Sequence, residues 1–181
     1  WEDELKDFLL ESFGEEYSNE LYGRYKEAFP TAYKENFSPR IAVYDIKHVE
    51  ALTGDNPLVM NFYKMMDEKP ENFRLKIYQN ESSIALTDVL PLIEKLGMRA
   101  LSERPYALKN GRETSINDFA LQYTRPISFQ IDTTRDLFQN AFSRVWFGDA
   151  ENDGFNQLVL AAGLDWRQVS VLRMYAKYFK Q

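Results

Sequence analysis

Acidic side chains alternate in Asp149-Ala150-Glu151-Asn152-Asp153-Gly154, with glycine sixth, as a calcium loop begins. The twelfth position of such a loop supplies a bidentate glutamate, and here it is Leu160. The better expectation is a solvated loop that caps a helix beginning near Phe155. The single histidine, His48, lies beside Lys47 and Glu50 and reads as a partly exposed structural residue. One histidine without a nucleophile elbow makes no hydrolytic triad. There is no cysteine, which removes disulfides, thiolate metal sites and cysteine nucleophiles together.

Glycines 14, 23, 54, 97, 111, 148, 154 and 163 are scattered and form neither dinucleotide nor nucleotide phosphate loop, so no cofactor-binding residue is expected in this chain. The acidic pairs Glu15-Glu16 and Glu2-Asp3-Glu4 lie at helix starts, where they complement the positive end of the macrodipole. No catalytic residue and no metal ligand is expected from them. One place offers a ligand something. Thr87 and Asp88 stand at the entry of a predicted helix, whose free N–H groups suit a carboxylate such as that of an amino-acid effector. Capping by Thr87 would satisfy the same groups and is the plainer expectation.

These residues must be held by a scaffold of 181 residues, 44% hydrophobic and 28% charged, the composition of an ordinary globular chain. No apolar run approaches the ~20 residues of a membrane span. The net charge of −6, from 22 basic and 28 acidic residues, argues against sequence-independent binding of nucleic acid or an anionic membrane.

Apolar residues recur at three- and four-residue spacing in Leu5, Phe8 and Leu9, then in Tyr17, Leu21, Tyr25 and Ala28, and again in Ile41, Ala42, Val49 and Leu52 with Asp45 on the same stripe. Ser38-Pro39 starts the third of these helices well. From Asn56 the period changes. Residues 58–65 read as a strand. Phe73, Leu75 and Ile77 alternate with Arg74, Lys76 and Tyr78, which predicts a core face and a solvated face. A turn is expected at 80–83. Leu86, Val89, Leu90, Ile93 and Leu96 form an amphipathic helix stopped by Gly97. Strands over 98–109 and 114–123 are joined by Asn110-Gly111, a hairpin signal. A helix with Phe138, Ala141, Phe142 and Val145 follows, capped by Asp132 or Thr133. The last helix starts in an Asp165/Gln168 capping box and carries Val169, Leu172, Ala176 and Phe179. With no stop signal after Phe179 and no initiator Met before Trp1, the expectation is a segment of a longer polypeptide.

The order β–β–α–β–β–α becomes the ferredoxin-like β–α–β–β–α–β when its last β–α unit is moved to the front. The expected fold is α+β: a four-stranded antiparallel ferredoxin-like sheet, in permuted order, with helices on one face, flanked by N- and C-terminal helices. The expected division is a helical arm over 1–54, the sheet domain over 55–147 and a helical segment over 148–181. An RNA-recognition surface on such a sheet would carry a consensus with glycine, and 73–78 has none.

Several stretches, taken together and in order, resemble one family. They are Ala28-Phe29-Pro30, Ile41-Ala42-Val43-Tyr44-Asp45-Ile46, Leu86-Thr87-Asp88-Val89-Leu90-Pro91 through Gly97, Ile116-Asn117-Asp118-Phe119, Glu151-Asn152-Asp153-Gly154-Phe155 and Ala162-Gly163-Leu164-Asp165-Trp166 through Tyr178. The set resembles an internal region of the large bacterial NAD-specific glutamate dehydrogenases. The resemblance implies an ACT-like identity for the sheet domain and a parent that deaminates L-glutamate with NAD. It also implies a cytoplasmic homo-oligomer whose catalytic region lies elsewhere in the polypeptide. The partners implied are the remainder of that polypeptide and an amino-acid effector; the fragment alone is expected to be inactive. The alternative is a free-standing ferredoxin-like interaction or amino-acid-sensing module.

Overall fold

The computed structural model describes residues 1–80 and 84–180. Chain order is α1 (Glu2–Phe13), α2 (Glu15–Tyr25), α3 (Thr31–Asn36), α4 (Pro39–Glu50), β1 (Leu58–Tyr63), β2 (Asn72–Gln79), α5 (Leu86–Lys95), β3 (Met98–Lys109), β4 (Glu113–Tyr123) and α6 (Ile131–Trp146). A 3-10 turn (Gly154–Gln157), α7 (Leu158–Ala162) and α8 (Trp166–Tyr178) follow. The four strands form one antiparallel sheet in the order β1-β2-β4-β3. In that order β2 and β3, joined through α5, have β4 between them. A strand–helix–strand unit with another strand inserted is the split βαβ of ferredoxin-like folds. The permuted ACT-like α+β fold expected from the sequence is therefore present.

The residues gather into two compact units. The first is Trp1–Met60 with Lys76–Ile84 and Arg104–Asp118; the second is Asn61–Leu75 with Ala85–Glu103 and Phe119–Gln181.

In the first unit, α1, α2 and α4 bury Leu5, Leu9, Leu21, Tyr25, Val43, Ile46 and Val49 together with Tyr78, Tyr106, Leu108 and Ile116 of the strands. Gly14, at φ 78°, separates α1 from α2 in the left-handed region that glycine enters without a Cβ clash. Ser38 caps α4 through its hydroxyl, which accepts from the Ile41 N–H, and Pro39 fills the first turn. This packing corrects one expectation. Lys76 and Tyr78, read as a solvated strand face, are 1% and 0% exposed. The alternation of β2 is real, but the aromatic and apolar side chains of the helical arm cover its second face.

In the second unit, Phe138 of α6 stacks on Phe62 of β1 with centroids 4.1 Å apart, and Phe62 in turn stacks on Phe73 of β2. The same helix reaches the rim of β1: Gln139 Oε1 accepts from the Phe62 N–H at 2.8 Å, and Arg135 Nε donates to the Phe62 carbonyl at 2.8 Å. Gln130, not Asp132 or Thr133, is the cap residue of α6. The hydroxyls of Thr133 and Thr134 both donate back to its carbonyl, so the helix starts earlier than its best capping residues. Gly163, at φ 66°, closes α7 in a left-handed turn, and the Asp165/Gln168 capping box opens α8 as expected.

Candidate functional site

Thr87 and Asp88 lie in the first turn of α5 and are exposed. The cap residue is Ala85, and among the described residues no side chain caps this end. Thr87 is therefore not the cap that its type predicts. The helix begins one residue before it, at Leu86, and the Asp88 N–H bonds the Ala85 carbonyl at 3.1 Å. The turn expected at 80–83 falls, but for Asn80, outside the described residues.

One buried polar cluster is only hinted at by sequence patterning. Asp45, on the buried stripe of α4, is 2% exposed. Its Oδ2 receives the Lys76 ammonium at 2.6 Å and the Tyr33 hydroxyl, and its Oδ1 receives the Tyr78 hydroxyl at 2.7 Å. The Lys76 nitrogen also stands 3.7 Å over the Phe37 ring. A carboxylate in an apolar interior is costly unless paired and hydrogen-bonded, and both conditions are met here. The visible signal was Asp45 itself, an acid at helical spacing with Ala42 and Val49. Its partner could not be read, because Lys76 comes from a strand whose second face looked solvated.

Two further ion-pair clusters organise the chain. Glu50 receives Arg24 at 2.7 Å and the Tyr25 hydroxyl at 2.5 Å, while Arg112 of the β3–β4 turn donates to the Val49 carbonyl at 2.9 Å. Burial first, and the adjoining Glu50 carboxylate second, push the Tyr25 phenol well above its ordinary value, so it remains a proton donor. Near the other end, Arg173 of α8 grips Asp153 twice, at 2.6 and 3.0 Å, and donates to Asn156 Oδ1 at 2.8 Å. Lys177 pairs with Glu151 at 2.7 Å. The acidic loop at 149–154 thus spends Glu151 and Asp153 on two cations of α8 and Asp149 on Arg144 of α6.

Burial of Asp153 works against its charge, but hydrogen bonds from Arg173 and the Phe155 N–H, with the nearby charges, hold its pKa below the ordinary 3.8. A carboxyl with a lowered native pKa stabilises the fold at neutral pH. That contribution is lost as pH falls through the native value. The α8 amides should therefore stay protected from hydrogen exchange at pH near 5 and lose protection only below 3.8. Arg173→Met should loosen α8 already at neutral pH.

Cavities in the second unit lie elsewhere. One of about 600 Å³ is lined by residues including Phe129, Thr133, Thr134 and Leu160. A second of about 410 Å³ is lined by Arg125, Phe155 and Gln157 among others. Neither includes Thr87, Asp88 or any member of the Asp45 cluster.

Three family models describe this chain: "Glutamate dehydrogenase, helical motif 2" over residues 8–52, "Glutamate dehydrogenase, ACT3 domain" over 57–134 and "Glutamate dehydrogenase, helical motif 3" over 150–181. Proteins named NAD-specific glutamate dehydrogenase from Halomonas elongata and Pseudomonas aeruginosa are each 41% identical over 100% of the chain, which spans 11% of their length. One from Mycobacterium tuberculosis is 33% identical over 87% of the chain and 10% of its own length. The chain belongs to the large NAD-specific glutamate dehydrogenase family. Within that family frame the Asp45 cluster joins residues of two matches, while the Arg173 cluster lies within one. Tyr33 and Asp45 lie in the helical motif 2 match, and Lys76 and Tyr78 lie in the ACT3 match. Asp153, Arg173 and Lys177 all lie within helical motif 3. Thr87 and Asp88 belong to the ACT3 stretch of this glutamate dehydrogenase segment.

Proposed function

We propose that the chain is a non-catalytic structural segment of an enzyme that converts L-glutamate, NAD and water to 2-oxoglutarate, ammonia and NADH. The observation that carries this reading is the Asp45 cluster. Its charged and hydroxyl groups satisfy one another in a packed interior, with Lys76 and Asp45 at 1% and 2% exposure. Such groups hold elements in register rather than meeting a substrate. NAD belongs to the parent, since a cofactor cradle needs a glycine-rich loop that this sequence does not carry. The reading extends to a cytoplasmic, homo-oligomeric parent. No helix among the described residues is long and apolar enough to cross a membrane. The division 1–54, 55–147 and 148–181 is part of the proposal, and the three family matches fall inside those bounds.

The chain incubated with glutamate and NAD should give no steady rise of NADH absorbance; steady turnover defeats the reading. A second role we propose is effector binding at Thr87 and Asp88, where α5 shows no side-chain cap among the described residues. Calorimetric titration with amino acids separates the two. Saturable one-to-one heat that is lost in Thr87→Ala/Asp88→Ala assigns an effector site there, and its absence leaves scaffolding alone.

A further inference from the structure

The turn between β3 and β4 carries a reaction that needs no enzyme. In an Asn-Gly pair the backbone nitrogen of the glycine can attack the asparagine side-chain carbonyl carbon, because glycine has no Cβ to shield that nitrogen. Asn110-Gly111 is such a pair, and Gly111 is exposed. The new N–Cγ bond closes a five-membered imide. The Cγ–Nδ2 bond breaks, and the side-chain nitrogen leaves as ammonia with the proton of the backbone amide. Water then opens the ring at either carbonyl, to aspartate or to isoaspartate, whose main chain runs through the side-chain carbon. The helices hold this turn. Asn110 is 4% exposed. Its Nδ2 donates to the Tyr25 hydroxyl oxygen at 3.3 Å, while its Oδ1 has no partner among the described residues, so one bond steadies the amide. The Tyr25 hydroxyl gives its own proton to Glu50. On either side, the Lys109 N–H donates to the Ala28 carbonyl at 3.0 Å and Arg112 to the Val49 carbonyl at 2.9 Å. Ring closure has to bring Cγ to the Gly111 nitrogen, a movement that the Tyr25 bond and the burial of Asn110 oppose.

We propose that Asn110 is a self-modification site, and that its conversion irreversibly loosens the β3–β4 turn from α2 and α4. Aspartate at this position sets a carboxylate oxygen where Nδ2 donated, against a Tyr25 oxygen whose proton is already committed to Glu50. A buried acceptor that faces an acceptor loses the bond and keeps the desolvation cost. Isoaspartate adds a main-chain carbon to the turn at 110–112, and the register of a hairpin is set by its turn. Neither product returns to the amide without a source of nitrogen and energy. The buried bond to Tyr25 therefore sets the pace of the reaction, and the reaction in turn removes that bond.

The test uses the full-length dehydrogenase carrying this segment, held for weeks in mildly alkaline buffer with or without guanidinium chloride and mapped by peptide mass spectrometry. Aspartate and isoaspartate should appear at position 110 in both, at least tenfold more slowly in the folded protein, because the reaction draws on the opened turn. Tyr25→Phe keeps the ring and removes the oxygen that Nδ2 meets, so it should raise the folded rate at least threefold. In aged folded protein, peptides containing position 110 separate into converted and unconverted forms within one sample. Hydrogen exchange at the Lys109 amide should be at least tenfold faster in the converted form. Equal rates with and without denaturant, a folded protein that stays wholly unconverted, no gain in Tyr25→Phe, or equal exchange in the two forms would each overturn the proposal. The NADH assay of the chain alone tests the non-catalytic reading, so the two can fail separately.

Discussion

Lys76→Met should lower stability by about 3–5 kcal/mol, because it leaves a buried carboxylate without its cation. Domains of this size are stable by about 5–15 kcal/mol, so the loss is a large share of the whole. Urea unfolding followed by circular dichroism measures it as a fall in midpoint. Two controls give the cause. Asp45→Leu added to Lys76→Met removes both charges and should recover part of the loss, since an apolar pair avoids the desolvation penalty while the Tyr33 and Tyr78 hydroxyls lose Asp45 as acceptor. Acidification should also shrink the loss in the single variant. A buried, unpaired carboxylate binds protons more readily than in the unfolded chain, so the variant gains relative stability as pH falls. A variant whose midpoint equals that of the parent at every pH would show that the Lys76–Asp45 pair, 2.6 Å apart, holds nothing.

Phe138→Ala should cost about 3–5 kcal/mol by a different route, the loss of buried apolar contact plus the cavity left behind. Phe138 is fully buried, stacks on Phe62 and stands 6.5 Å from Phe142. It anchors α6 one residue from Gln139, whose side chain bonds the Phe62 amide. The variant should therefore speed hydrogen exchange at the Phe62 amide as well as lower the urea midpoint. Phe138→Leu should retain most of both. An unchanged exchange rate with a lowered midpoint would separate the packing of α6 from its hold on β1.

Most of the scaffold was legible because its signals are local. The strand at 73–78, the Asn110-Gly111 turn, the Ser38-Pro39 start and the Asp165/Gln168 box each act within a few residues and formed as elements where they were expected. What misled was burial imposed from a distance. Lys76 looks solvated until α4 brings Asp45 to it. Leu172 and Phe179 look buried and are exposed, because helical spacing shows which residues share a face, not whether that face meets anything. Thr87 looks like a cap because it is a good one, but Leu86 already has helical geometry. The candidate site was thus hardly legible: Asp45 was visible as an acid among apolar neighbours, while Tyr33, Lys76 and Tyr78 had no reason to be read as its partners.

The side chains of Gln139 and Arg135 occupy the outward amide and carbonyl of Phe62 on β1, one margin of the sheet. An unpaired margin is a template for runaway strand-on-strand polymerisation, and plugging its backbone groups is a way to prevent it. Growth at this border would first have to evict two hydrogen-bonded side chains. The β1 border is accordingly closed to fibre formation at Phe62.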